Sequence, residues 1–248
     1  MFTGPIDVHC HLEDPAFDSN RAEVLARARE AGIGAILTSG LGLEAALKTL
    51  QIADGRFVYP TIGVAPQELA GHEEVYQLIL RERNRIVGIG EVGLDYYYGR
   101  REDRATQIEV FTGFVRLAQE LSLPLIVHSR SAGRYALDVL FREKPELVIM
   151  HAFDGRPSYA LKAVKKGFFF SVPPSVVRSQ QKQKLVKALS LESLLLESDA
   201  PVLGPDPQRV NEPKNIFVSA RAIAEIKRLP EEEVIDCTSR LSRDLFRL

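Results

Sequence analysis

The sequence predicts an α/β fold, a (β/α)8 TIM barrel with one extra C-terminal helix. Three observations lead there. Short apolar runs alternate with longer amphipathic segments along all 248 residues. Eight such units in a chain of this length match the arithmetic of a barrel, whereas a doubly wound sheet usually has fewer strands. No G-x-G-x-x-G opens the first helix, as a dinucleotide-binding sheet would require.

The elements follow in order. PIDVHCH (5–11) reads as the first strand, and GAILTSG (34–40) as the second, after Gly32, which sits where a C-cap glycine ends a helix. FVYPTIG (57–63) and IVGIGE (86–91) are the third and fourth. Residues 103–122 form a helix, because Ile108, Phe111, Val115, Ala118 and Leu121 recur at three- and four-residue steps. PLIVH (124–128) and LVIMH (147–151) are the fifth and sixth strands. Gly167 stops a helix before GFFFSV (167–172), and LLLESD (194–199) is the eighth strand. Residues 229–245 make one helix more: Pro230 and three glutamates suit its start, while Val234, Cys237, Leu241 and Leu245 share a packing face. No repeat, low-complexity tract or linker divides the chain, so 1–248 is expected to be a single domain.

Composition narrows the class. With 45% hydrophobic residues, 26% charged residues and a net charge of −1, the chain is neither disordered nor a gross polyanion binder. Two cysteines, Cys10 and Cys237, give no disulfide framework and fit a reducing compartment. The opening residues show no leader pattern, and no apolar run approaches the roughly 18 residues that span a bilayer. A cytoplasmic protein without a membrane segment is expected.

A barrel keeps its chemistry at the C-terminal ends of its strands. Four of the five histidines fall there: His9 and His11 on the first strand, His128 on the fifth and His151 on the sixth. Glu91 ends the fourth and Asp199 the eighth. Strand alternation predicts Asp7, His9 and His11 pointing into the barrel, with Ile6, Val8 and Cys10 outward under the helices. Asp7 could then hold the far nitrogen of a histidine ring, and Glu197 would lie below Asp199 on the same face. Barrel closure joins Asp199 to His9 and His11, adjacency pairs His128 with His151, and Glu91 can reach both groups. The expectation is two divalent metals bridged by Glu91, at the spacing of about 3.5–4 Å that lets a shared hydroxide attack. Asp199 would ligate and accept the proton. His72 precedes a helix, and Cys10 faces away; neither is taken as a ligand.

Together DVHCH, GIGEVGLDYY, VHSR, MHAFDG, ESDAP and VNEP resemble the TatD-type metal-dependent deoxyribonucleases of the amidohydrolase superfamily, in order and over nearly the whole chain. HSRSAGR, HAFDGRPS and PPSVVRSQQKQKLVKAL resemble a vertebrate-type branch of that family. The resemblance implies a TIM barrel, a metal pair and hydrolysis of DNA phosphodiesters, with His9, His11, Glu91, His128, His151 and Asp199 as metal residues. Glu91 stands where other superfamily members carry a carboxylated lysine. One departure is Ala65, in GVAPQE, where the family often has a phosphate-holding histidine.

Substrate groups follow from charge. Residues 156–190 hold eight Lys or Arg and no Asp or Glu. Barrel helices run away from the active rim, so Lys165, Lys166 and Lys187 read as solvated surface, whereas Arg156, Arg178 and Lys182 can face substrate. Arg130 would stabilise phosphoryl charge, Asp95 would orient substrate or support a ligand, and Tyr96, Tyr97 and Tyr98 either stack bases or pack the loop. With no deep sequence-reading element, cleavage of single-stranded or frayed DNA ends is expected. Four imidazoles favour Zn, Mn, Ni or Co, while the resemblance implies Mg-supported activity. Two other readings remain open: hydrolysis of a carboxylic ester or amide, such as an aminoacyl-tRNA ester, and a non-catalytic nucleic-acid-binding protein.

Overall fold

The computed structural model describes residues 4–248; the leader-free reading of residues 1–3 lies outside them. Eight parallel strands form one sheet in the order of the sequence: β1 (Ile6–Cys10), β2 (Ala35–Leu41), β3 (Val58–Gly63), β4 (Gly88–Gly93), β5 (Leu125–His128), β6 (Val148–Met150), β7 (Phe169–Val172) and β8 (Leu194–Leu196). Backbone bonds close the ring beyond β8, where Asp199 N–H donates to His9 O at 2.9 Å and His11 N–H to Ala200 O at 2.7 Å. Helices alternate with the strands: α1 (Arg21–Glu30), α2 (Leu43–Ile52), α3 (His72–Glu82), α4 (Arg104–Leu121), α5 (Gly133–Glu143), α6 (Pro157–Val164), α7 (Gln180–Ala188) and α8 (Ile216–Lys227). The extra helix, α9 (Glu231–Phe246), follows them as expected. Among the described residues no helix is long and apolar enough to cross a membrane.

Two apolar layers explain why the strands read as continuous hydrophobic runs. Ile36, Leu125, Val127, Val148, Met150, Leu194 and Leu196 pack outward against helix residues such as Val24, Leu78 and Phe111. Leu37, Ile126, Ile149 and Leu195 pack inward, and Leu245 and Phe246 of α9 join them. Parallel strands covered on both faces need apolar side chains on both. The C-terminal helix thus plugs the barrel mouth opposite the strand ends that carry the histidines.

The predicted facing of β1 is corrected here. Ile6 and Val8 belong to the inner layer and Asp7 points away from it, while Cys10 is outward as expected. The register of β1 against β2 shifts between Asp7 and Cys10. Such a bulge breaks the two-residue period, so Val8 and His9 both face inward. Asp7 therefore holds no histidine ring. Its carboxyl accepts from Ser198 N–H at 2.8 Å and Ser198 Oγ–H at 2.5 Å, lacing β1 to the segment after β8. Burial pushes the Asp7 carboxyl well above its usual range, against those bonds.

Candidate metal centre

Glu91 and Asp199 are delivered by local departures from regular strand, whereas His128 ends β5 within it. β4 continues two residues past Glu91, and its register with β5 shifts between Ile89 and Val92. Gly63 and Gly93 flank it because a Cβ at either would overlap the carbonyl oxygen of Glu91 or His128. β8 ends at Leu196, earlier than expected, and Glu197–Asp199 leave the sheet. Asp199 takes a left-handed backbone, φ 53°. That conformation costs about 1–3 kcal/mol without glycine.

The structure brings all six predicted residues together at one rim. His9 Nε2 lies 3.0 Å from Glu91 Oε2 and 3.5 Å from Asp199 Oδ1. His11 Nε2 lies 3.5 and 3.6 Å from the same two atoms. His151 Nε2 is 3.8 Å from Asp199 Oδ1, and His128 Nδ1 meets Glu91 Oε1. Glu91 thus spans from His9 and His11 to His128 with its two oxygens. The donor atoms fall into two sets, His9–His11–Asp199 and His9–Glu91–His151, each within 4.8 Å. His151 therefore groups with His9, ring centroids 4.0 Å apart, rather than with His128 at 6.2 Å as adjacency predicted.

Behind the rim, every imidazole has a partner on its far nitrogen. His11 Nδ1–H donates to Ser39 O at 2.9 Å, with Glu13 Oε1 at 3.2 Å; a carbonyl only accepts, so Nε2 is the nitrogen turned to the cluster. Ser39 Oγ meets His9 Nδ1 at 3.0 Å. Glu197 Oε2 accepts from His151 Nδ1–H at 2.7 Å and from Ser171 Oγ–H at 2.5 Å, while its other oxygen takes Ala152 N–H at 2.9 Å. Asp95 Oδ2 accepts from His128 Nε2–H at 3.0 Å. Ser39 and Glu13 were not foreseen. Their signals were a polar pair, Thr38–Ser39, ending an apolar strand, and a glutamate two residues past His11.

Charge inside the cluster is balanced by these contacts. Burial pulls the His128 ring down, but Glu91 and Asp95 outweigh it and raise it to about 10. His151 is likewise lifted to about 8 by Glu197, Asp199 and Glu91, against its burial. Burial would raise Glu91, yet the neighbouring histidines hold it well below the usual carboxylate range. His9 goes the other way, lowered by burial and by the charge of His151.

A cavity of about 480 Å³ opens over this rim, lined by His11, Glu91, His128, His151, Asp199, Arg130 and Lys182 among others. Lys182 is buried and donates to Ala152 O at 2.8 Å. Arg130 is exposed on the wall. Three expected substrate groups are placed elsewhere. Asp95 is 1% exposed and turned to His128 and its own loop. Arg156 is exposed at the start of α6 and absent from the lining. Arg178 is also absent from it and donates to Gly204 O at 3.2 Å. Ala65 is buried and brings no polar side-chain atom. A larger groove, about 790 Å³, runs along α3 and α4, but the clustered donor atoms are not in it, so size alone does not mark the site.

Known proteins resemble this chain in sequence and fold. The model of the family described as TatD related DNase matches residues 6–247. A human protein named deoxyribonuclease TATDN3 is 41% identical over 259 residues, spanning 98% of this chain and 94% of its own. An uncharacterized metal-dependent hydrolase of Methanocaldococcus jannaschii is 36% identical over 93% of this chain and 92% of its own. The crystal structure of YjjV, a TatD homologue from Escherichia coli K12, matches with a TM-score of 0.91 at 28% identity, covering 100% of both chains. A match over nearly every residue, on a barrel with this polar rim, means that the chain belongs to the TatD related DNase family.

Proposed function

We propose that this metal-dependent hydrolase cleaves phosphodiester bonds of DNA at single strands or frayed ends, using two divalent cations held by His9, His11, Glu91, His128, His151 and Asp199. The observation that carries the reading is His9 Nε2, a fully buried ring nitrogen without a hydrogen-bond partner, 3.0 Å from a carboxylate it is not aligned to bond. A buried polar atom left unpaired is costly, and a cation ligated by that nitrogen removes the cost. The donor set fits: the far nitrogens of His11, His128 and His151 are bonded to a carbonyl or carboxylates, the usual form of metal-ligating histidine, and that of His9 meets the Ser39 hydroxyl. The proton that Glu91 holds on His128 Nδ1, and the one on His151 Nε2 facing Asp199, are those a cation displaces, while Glu197 keeps its bond to the far His151 Nδ1–H.

Bound there, divalent cations supply an acidified water and neutralise charge on the phosphate. Imidazole-rich ligation favours Zn, Mn, Ni or Co over Mg. The chain's own residues do the rest. Asp199, kept ionised by His151 and His11 against its burial, is the acceptor for the proton of the attacking water. Arg130 and Lys182, both lining the cavity, present cationic hydrogen-bond donors to the phosphoryl oxygens. Glu197 and Asp95 fix the rings of His151 and His128. The two cysteines, both buried and unpaired, favour the cytoplasmic setting, and residues 1–248 act as one domain.

Glu197→Gln keeps the shape at His151 but removes the charge, and is expected to weaken metal affinity by about 10–100-fold, read by competition with a chromophoric chelator. The function itself is tested on an end-labelled single strand with Mg, Mn or Zn, beside a carboxylic ester and an aminoacyl-tRNA. Strand cleavage that a chelator abolishes supports the phosphodiesterase. Ala65 is the observation that favours the ester or amide reading, and turnover of those substrates with intact DNA would establish it. DNA retention without turnover at any metal would make the protein a binder.

A further inference from the structure

The catalytic reading leaves unused two side chains that adjoin the cavity-lining Arg130. Tyr97 and Tyr98 are 62% and 63% exposed, an unusual loss of apolar burial for two consecutive aromatic residues. Their loop is nevertheless anchored. Both backbone N–H groups donate to Asp95 Oδ1 at 2.8 Å, and the other oxygen of Asp95 holds His128. Tyr96 N–H donates to Arg130 O at 3.0 Å, and the Tyr96 ring packs between Arg104, 4.1 Å from its centroid, and Tyr135, at 5.2 Å. Loop packing thus accounts for Tyr96. It does not account for the two rings that follow, which stand edge to face with centroids 4.8 Å apart.

The neighbour of those rings supplies the second observation. The Arg130 guanidinium lies 4.4 Å from the Tyr97 centroid and 4.6 Å from the Tyr98 centroid, while lining the metal cavity. Of the nearby arginines, Arg100 is paired with Asp103 and Arg134 with Asp138, while Arg104 lies over the Tyr96 ring. Among the described residues Arg130 has no such ion pair; its cation is held by π faces and remains available to an anion. An aromatic surface beside an unpaired cation matches a nucleotide whose base is not in a duplex, with one planar face to stack and one phosphate to pair. Tethering through Asp95 sets that surface at a fixed place relative to His128, so the stacked nucleotide adjoins the bond being cut.

We propose that Tyr97, Tyr98 and Arg130 form a stacking subsite for the unpaired nucleobase next to the scissile phosphate. The inference rests on the phosphodiesterase reading and deepens it: a paired base hides its face in the helix stack, so the subsite selects single strands and frayed ends.

The test uses the metal-loaded full chain and an end-labelled single strand, with an abasic sugar placed in turn on either side of the cleaved bond. Tyr97→Leu/Tyr98→Leu is compared with Tyr97→Phe/Tyr98→Phe. Both positions are exposed, so both variants fold. The leucine variant is expected to raise KM about tenfold with kcat unchanged, and the phenylalanine variant to keep the wild-type KM. One abasic position should raise the wild-type KM by a similar factor and add nothing in the leucine variant, because the stacking partner is already gone. An unchanged KM in the leucine variant, or an abasic penalty persisting in full there, overturns the subsite while leaving the nuclease reading intact. Failure of the wild type to cut any strand overturns both, and is read without the variants.

Discussion

Glu91→Ala is expected to lower kcat/KM on a single-stranded substrate by about 10³–10⁴-fold and to reduce bound metal below two equivalents. The reason is its position. One oxygen serves His9 and His11 while the other serves His128, and among the described residues no other side chain spans the rim in the same way. Asp199→Ala should lose as much activity for a different reason. It removes a donor from the His9–His11–Asp199 set but leaves Glu91 reaching both His11 and His128, whereas Glu91→Ala takes a carboxylate from both sides, so more metal survives than in Glu91→Ala. Elemental analysis beside the cleavage assay separates the two. Glu91→Ala also leaves a gap beside His128, so Glu91→Gln, equally uncharged but of similar size, serves as a control for misfolding. Full metal occupancy and near-wild-type turnover in Glu91→Ala and Glu91→Gln alike would sink the bridging role.

Phe246→Ala should be the most destabilising truncation in α9. Phe246 is 3% exposed and closes the barrel mouth over Ile6, Val8 and Leu195. Deleting a buried phenyl ring costs about 3–5 kcal/mol, from lost burial together with the cavity left behind. In a chain of this size that lowers Tm by about 10 °C. Thermal denaturation followed by circular dichroism checks it. Specific activity measured well below the transition should stay near wild type, because the plug lies at the end of the barrel opposite the histidine rim. A Tm within 2 °C of wild type, by contrast (about one kcal/mol or less), would mean that α9 is packed on the barrel without stabilising it.

The two predictions also differ in how far the sequence supports them. The catalytic one needs little beyond residue types at strand ends. The stability one needs the structure, since nothing in the period of residues 229–245 tells which surface the apolar face of α9 covers. Other parts of the site divide in the same way. Lys182 was foreseen near the substrate, yet its burial and its bond to Ala152 O depend on how α7 docks on the neighbouring loop. Asp95 read equally as a ligand support or a substrate group, and only its contact with His128, 33 residues away, separates the two.

By itself, the sequence determined the barrel, the order of its strands and the six polar residues gathered at one rim. Strands buried on both faces must be written as apolar runs, and parallel strands all end on the same side, so a histidine or carboxylate closing a run is placed there whatever the packing details. Barrel closure already joined Asp199 to His9 and His11; the tertiary structure alone decided that His151 stands with His9 and Glu91, and what holds each donor. The shift in β1 turned Asp7 to Ser198 and brought His9 inward, β2 supplied Ser39, and the turn after β8 set Glu197 behind His151. Distances between side chains on different strands depend on register and bulges around the whole ring, and a bulge leaves no mark in the period of a single strand.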